Sequence, residues 1–362
     1  MVNDGLLGLE LNKRKLPGLL KKPDGTMITR KEDWEQRRKE IRGTLCENLT
    51  GFPPEFELCV NGSTVKEDRN SYGGKAFRRL VDLQITTPYS HASFPFQLCI
   101  PKETEKPPVF LNLSFTPEAA DGLGEEILDN GFAVANVYYQ DIAADMADNY
   151  YSGVGRICRR NNFNSWGKVS MWAWGASRIM DYLMTLEEID GNRVAVTGHS
   201  RLGKAALVCG AFDERFSLVV SNNSGGGAAL FRGKEGEGIE DLAKGLSRLW
   251  FCDNFYGYGQ RTEDLPFDQH FLLAMAAPRN LYVTSASMDA WADPKSEFLA
   301  CVAASPVYEL LGWKGLVHNN AYPEDNQVFS EGRIGYHLRK GTHHMGRFDW
   351  NRIMEYRRQH SV

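Results

Sequence analysis

A serine at a strand–helix junction, a carboxylate after a later strand and a histidine after the last strand are the raw material of acyl transfer. Here the serine is Ser200, within the stretch 193–207, RVAVTGHSRLGKAAL. The apolar run 194–197 reads as a strand, Gly198-His199-Ser200 as a tight turn, and the Ala-rich stretch after Gly203 as a helix. Such a turn holds a serine hydroxyl at the carboxyl edge of a sheet. The helix behind it offers unpaired backbone N–H groups and positive potential to an oxyanion. Ser200 is therefore the candidate nucleophile. Its second glycine comes one place later than in G-x-S-x-G, and the plainer alternative is a βα turn whose serine only caps the helix.

A serine hydroxyl needs a base within reach and an acid to orient that base. Residues 281–286 read as a strand that runs into Ser287-Met288-Asp289-Ala290-Trp291-Ala292-Asp293-Pro294. Asp289 leaves the strand first and is the expected acid, with Asp293 in reserve. The last strand, 334–338, leads to Arg339-Lys340-Gly341-Thr342-His343-His344, and His343 is preferred over His344 as base. The order serine, acid, histidine is that of the α/β-hydrolase arrangement. A histidine pair can also be polar surface or bind metal, but no carboxylates stand at metal spacing, so neither a metal nor another cofactor is expected. His199 and His270 are not expected to be the base.

Arg201 supplies the natural oxyanion N–H, and its guanidinium is a second donor to that site. Lys204 lies four residues after Ser200 on the same helical face and is within reach of a substrate hydroxyl or carboxylate. The alternative is two solvated cations. In 228–270, Trp250, Phe251, Phe255, Tyr256 and Tyr258 cluster near Glu237, which suits either a sugar-binding wall or a lid packed on its own rings. Trp291 either walls the site or packs. The Ser221–Gly227 run, SNNSGGG, lacks the Gly-Lys-Ser/Thr ending of a phosphate loop, so its glycines point to close backbone approach.

The elements that must position these residues alternate from residue 107 onward: strand 109–113, helix 122–130, strand 132–138, helix 172–183, then the nucleophile strand. That alternation predicts an α/β fold, a three-layer sandwich with a mostly parallel sheet and helices on both faces. Before it, Val81, Leu83 and Ile85 alternate with polar residues, an antiparallel edge leading into the sheet. A capping-box pattern, Thr29 to Glu32, predicts an N-terminal helix carrying Trp34, Ile41 and Leu45. The expected organisation is an N-terminal helical extension over 1–54 packed on a main domain over 55–362, with insertions at about 149–166 and 228–270. Trp166, Trp172 and Trp174 are read as core rather than pocket.

The 362 residues are 42% hydrophobic and 24% charged, ordinary for a globular chain. With 42 Lys and Arg against 46 Asp and Glu, the net charge of −4 and the lack of a basic stripe argue against nucleic acid. No apolar run is long enough to span a bilayer and no export signal is read, so a cytoplasmic protein without a membrane partner is expected. Seven scattered cysteines favour reduced thiols. Small neutral or mildly anionic ligands remain as partners.

Gly198-His199-Ser200-Arg201-Leu202-Gly203-Lys204 resembles the G-x-S-R-x-G-K signature of glucuronoyl esterases, α/β-hydrolases that cleave esters of (4-O-methyl) glucuronic acid on xylan side chains. The late second glycine is normal in that family. The similarity covers much of 107–350 and its bacterial branch, including Pro266-Phe267-Asp268-Gln269-His270, Ala277-Pro278-Arg279, the 289–294 segment, Gly341-Thr342-His343 and Asp349-Trp350. It implies Ser200 as nucleophile, Arg201 at the oxyanion, His343 as base, and Lys204, Glu237 and Trp291 as contacts to the uronate. Two features depart from it. Many members take the acid from a glutamate in the loop that is 221–227 here, where no carboxylate stands, so the acid falls to Asp289 or Asp293. Members are typically secreted, whereas no export signal is read here, which makes a soluble imported oligosaccharide ester, or another carboxylic ester, the expected substrate. A carbohydrate acetyl esterase and a non-catalytic carbohydrate-binding homologue are the competing expectations.

Overall fold

The computed structural model describes residues 5–22, 24–118, 123–158, 160 and 163–360. One ten-stranded sheet runs through them in the order β1-β2-β3-β5-β4-β6-β7-β8-β10-β9. The strands are β1 (Cys59–Ser71), β2 (Ala76–Thr86), β3 (His91–Pro101), β4 (Pro108–Ser114), β5 (Ala133–Tyr138), β6 (Asp190–His199), β7 (Leu218–Asn222), β8 (Asn280–Ala286), β9 (Val328–Phe329) and β10 (Ile334–Arg339). From β5 to β10 neighbouring strands are parallel, whereas β1, β2 and β3 form an antiparallel flank that joins β5, as the period-2 pattern at 81–85 predicts.

The parallel strands are apolar on both sides because both faces are covered. In β4, Val109, Leu111 and Leu113 enter the larger core cluster and Phe110 the smaller one; in β6, Val194 and Val196 divide from Ala195 in the same way. The smaller cluster lies under the C-terminal helix, through Trp350, Ile353, Met354 and Tyr356, and under the 123–129 helix, through Ile127. Burying each such Val, Leu or Ile contributes about 1.5–3 kcal/mol relative to exposure. The other face carries α1 (Leu6–Arg14), α2 (Trp34–Leu45), α3 (Lys168–Leu183), α4 (Arg201–Phe212), α5 (Gln269–Ala274) and α6 (Pro294–Leu310), while α7 (Arg347–Gln359) closes the chain.

Two local expectations shift. The capping-box helix begins only at Trp34, after a 3₁₀ turn at Lys31–Asp33, and Thr29 does not cap it; Trp34, Ile41 and Leu45 are buried as their spacing requires. The helix expected over 122–130 runs Leu123–Asp129, with Gly122 outside the described residues. Trp166 and Trp172 are fully buried in the core, and Trp174 nearly so. The α1 helix is pinned rather than loose: buried Arg14 donates to Arg232 O at 2.9 Å and to Ser296 Oγ at 2.8 Å.

Candidate active site

The turn after β6 has the geometry an exposed nucleophile needs. Ser200 sits at φ 58°, ψ −127°, between the end of β6 and the first residue of α4. A non-glycine residue there is strained, and the surroundings hold it: Ser200 N donates to Asn222 O at 2.9 Å, and Ser200 O accepts from Gly203 N at 2.9 Å and Lys204 N at 3.2 Å. Gly198 is required because a Cβ there would stand 2.2 Å from Leu202 O. The late glycine has its own reason, since a Cβ on Gly203 would come within 3.0 Å of both Ser221 Oγ and Ser224 Cβ, where α4 crosses the loop after β7. The backbone N–H of Arg201, in the first turn of α4, has no intrahelical acceptor, so it is free to donate at the turn.

Two loops at the same sheet edge bring His343 and Asp289 together. Ser287 N donates to Arg339 O and Met288 N to Gly341 O, each at 2.9 Å, which locks the turn after β8 to the loop after β10. Across that junction His343 Nδ1 and Asp289 Oδ2 lie 2.6 Å apart. Burial alone would raise the Asp289 carboxyl, but hydrogen bonds from His343 and Asn223 outweigh it and hold the group below the usual carboxylate range. An ionised acceptor there keeps the proton on Nδ1 and leaves Nε2 as the basic nitrogen. The His343 ring lies 4.5 Å, centroid to centroid, from that of His199, the residue before Ser200. Asp293 faces elsewhere: its oxygens accept from Ser296 N at 3.0 Å, as the cap of α6, and from Glu235 N at 2.7 Å.

Asn223 is a residue the sequence reasoning passed over. It stands at φ 46°, in the 221–227 loop that lacks a carboxylate, and its amide donates to the same Asp289 Oδ2 at 2.8 Å. The departure itself was the signal: an amide there supports an acid supplied from the next strand. His199, not expected to be the base, points Nδ1 at Asn222 Oδ1 at 2.6 Å, and burial together with nearby His343 pushes it down to about 4, so it stays neutral. His270 is buried against Pro17 O and takes no part.

Arg201 and Lys204 are not solvated cations. The Arg201 guanidinium pairs with Asp145, which also accepts from Trp250 Nε1 at 3.0 Å, and it lies 4.8 Å over the Trp250 ring and 5.8 Å over Phe115. Lys204 is buried, with Nζ on Ser224 O at 2.6 Å and Glu237 Oε2 at 2.7 Å. An ammonium has three hydrogens, so among the described residues these bonds use two and leave one for a ligand. Glu237 Oε2 also accepts from Gly226 N at 2.9 Å, and Glu237 N donates to Trp291 O at 2.8 Å. Trp291 is 56% exposed and meets Glu237 through its main-chain carbonyl. Of the two readings of the insertion's rings, packing holds for Phe251 and Phe255, buried on one another at 4.9 Å, while Trp250 lies against Arg201 and Lys204.

Beneath the loop lies Glu297, buried completely. Its Oε1 accepts from Ser224 N at 2.8 Å and Gly225 N at 3.1 Å, and its Oε2 from Ser285 Oγ at 2.5 Å. Burial pushes it up to about 8, with Ser285 and Ser224 opposing. A carboxyl raised above its unfolded value binds more protons folded than unfolded, so its stabilising effect is full below about pH 4.5 and is lost as pH rises towards 8. Glu297→Gln copies the protonated form. Thermal melts at pH 5 and pH 8 should differ less in this variant than in the parent, by on the order of a few degrees. An unchanged difference would show that Glu297 does not titrate in this window.

The parallel sheet, the strained serine and the His–Asp pair at one edge define an α/β-hydrolase of the carboxylic ester hydrolase type. A family model described as glucuronyl esterase, fungi, matches residues 83–312. A carbohydrate esterase, MZ0003, of an unknown prokaryotic organism is 33% identical over 97% of this chain and 90% of its own. The 4-O-methyl-glucuronoyl methylesterase 1 of Wolfiporia cocos is 30% identical over 83% of this chain and 73% of its own. The structure of a glucuronoyl esterase from Solibacter usitatus superposes with a TM-score of 0.88 at 33% identity, covering 96% of this chain and 98% of that one. The chain belongs to the glucuronyl esterase family.

Proposed function

We propose that the protein is a serine esterase with Ser200, His343 and Asp289 as its triad, acting on esters of glucuronic acid or a closely related uronic acid. The observation that carries this reading is the 2.6 Å His343–Asp289 pair beside a strained serine, flanked by the buried Lys204–Glu237 pair. Ser200 Oγ attacks the ester carbonyl carbon while its proton passes to His343 Nε2. The oxyanion is taken by the Arg201 N–H, and the neighbouring guanidinium, fixed by Asp145, adds positive potential without reorganising. Collapse expels the alcohol, which leaves with the His343 proton. Water, deprotonated by the same imidazole, then releases the uronate and restores Ser200. Relatives named as 4-O-methyl-glucuronoyl methylesterases support the acyl group.

The third hydrogen of Lys204 suits a sugar hydroxyl, and the exposed Trp291 offers a ring to a pyranose face. The deciding experiment is a substrate panel: methyl glucuronate, an acetylated xylo-oligosaccharide and an aryl acetate. The uronate ester should give the highest kcat/KM, and preference for the acetylated oligosaccharide would replace the uronate assignment with an acetyl esterase. Lys204→Met, which keeps the stem packed, should lower kcat/KM for methyl glucuronate roughly 10- to 100-fold while aryl acetate hydrolysis stays within about threefold. Equal losses on both would remove the lysine from recognition.

A further inference from the structure

We propose that Arg339 and Asp349 form a clamp that sets the position of the His343 imidazole, which makes them positioning residues for the base. The inference rests on the triad reading. Arg339 ends β10 and opens the loop that carries His343. Its Nη2 donates to Thr342 O at 2.9 Å and to His344 O at 2.7 Å, the carbonyls of the two residues flanking the base. Its Nε lies 3.2 and 3.1 Å from the two Asp349 oxygens, so one planar group ties both neighbours of His343 to a fixed carboxylate. Gly341 makes room for it: at φ 146°, a Cβ there would stand 2.3 Å from Arg339 Nη1.

Asp349 is itself immobile. It is fully buried, accepts from Gly346 N at 2.8 Å at the start of α7, and accepts from His337 Nε2 at 3.0 Å. Asn222 Nδ2 approaches the same Oδ1 at 3.4 Å, while Asn222 Oδ1 takes His199 Nδ1. The circuit closes where the His199 ring meets the His343 ring. From the flanking carbonyls through Arg339, Asp349, Asn222 and His199, contacts return to the imidazole itself. A buried ion pair adds little net stability, since desolvation offsets attraction. What this pair does add is geometry, and misplacing a catalytic group by about 1 Å costs roughly 10²-fold.

Arg339→Lys keeps the charge but cannot hold two carbonyls and a carboxylate in one plane. It should lower kcat for a uronate or aryl ester roughly 10- to 100-fold per folded molecule, with KM within about twofold, since no substrate contact is lost. Arg339→Ala should lose as much, and millimolar ethylguanidinium should restore part of kcat, a recovery that a merely structural role would not give. Full kcat in Arg339→Lys, or a folded Arg339→Ala that ethylguanidinium leaves unchanged, would overturn the clamp. The parent protein separates this from the triad: failure of a serine-directed fluorophosphonate to label it, or full activity in His343→Ala, would overturn the triad reading. A labelled parent with indifferent Arg339 variants overturns the clamp alone.

Discussion

Ser200→Ala should lose at least about 10³-fold in kcat/KM on any ester the parent hydrolyses, and all labelling by a serine-directed fluorophosphonate. The backbone conformation at φ 58° is no easier for alanine than for serine, and the bonds that hold it, to Asn222 O and from Gly203 N and Lys204 N, are all made by the main chain. The fold should therefore survive, with a melting temperature within a few degrees of the parent. His343→Ala should fall as far, because the hydroxyl is inert without the imidazole. The double variant should be no slower than either single one, since the two act as a unit. Additive losses would mean that serine and histidine contribute separately, and retained labelling in Ser200→Ala would move the nucleophile elsewhere.

The chemistry of this site was legible where it depends on local order along the chain. Apolar β-type residues, a glycine, a serine and an Ala-rich stretch suffice to write the elbow, because a strand–turn–helix unit is specified by neighbours in sequence. The layered sheet followed from alternating patterns for the same reason. What escaped was the support. Asn223 reaches Asp289 across 66 positions, and Asn222 approaches Asp349 across 127. No periodicity encodes such contacts; they exist because parallel pairing sets the carboxyl ends of β6, β7, β8 and β10 side by side. The insertion was ambiguous for another reason: aromatic residues that stack on a sugar and those that pack a lid have the same composition, and only the contacts separate Phe255, packed on Phe251, from Trp250, against the Arg201 guanidinium. Lys204 was recognised as a reaching cation, but its partner lies 33 residues away in that insertion.

Asp289→Asn should reduce kcat about 10²- to 10⁴-fold with little change in KM, and Asp293→Asn should stay within about threefold of the parent. The asymmetry follows from what each oxygen touches. Asp289 Oδ2 receives both His343 Nδ1 and Asn223 Nδ2, two donors converging on one ionised atom. An asparagine there must present its amide nitrogen to one oxygen position; turned towards His343, it selects the imidazole form with the proton on Nε2, where it cannot accept one from Ser200. Turned the other way, it leaves a neutral carbonyl where the imidazolium of the transition state needs a charge. Asp293 caps α6 with one oxygen and holds Glu235 N with the other; asparagine keeps the cap and gives up only the Glu235 N bond, which touches neither His343 nor Ser200. The carboxyl's depressed titration adds a second check. Because its hydrogen bonds keep Asp289 ionised below the ordinary carboxylate range, its contribution to stability is present above the unfolded value and is lost only as pH falls through the folded one. Asp289→Asn should accordingly flatten the acid side of the stability profile as well as slow turnover. A greater loss of turnover in Asp293→Asn would transfer the acid's role to that residue, and equal, small losses in both would leave His343 without a carboxylate partner in catalysis.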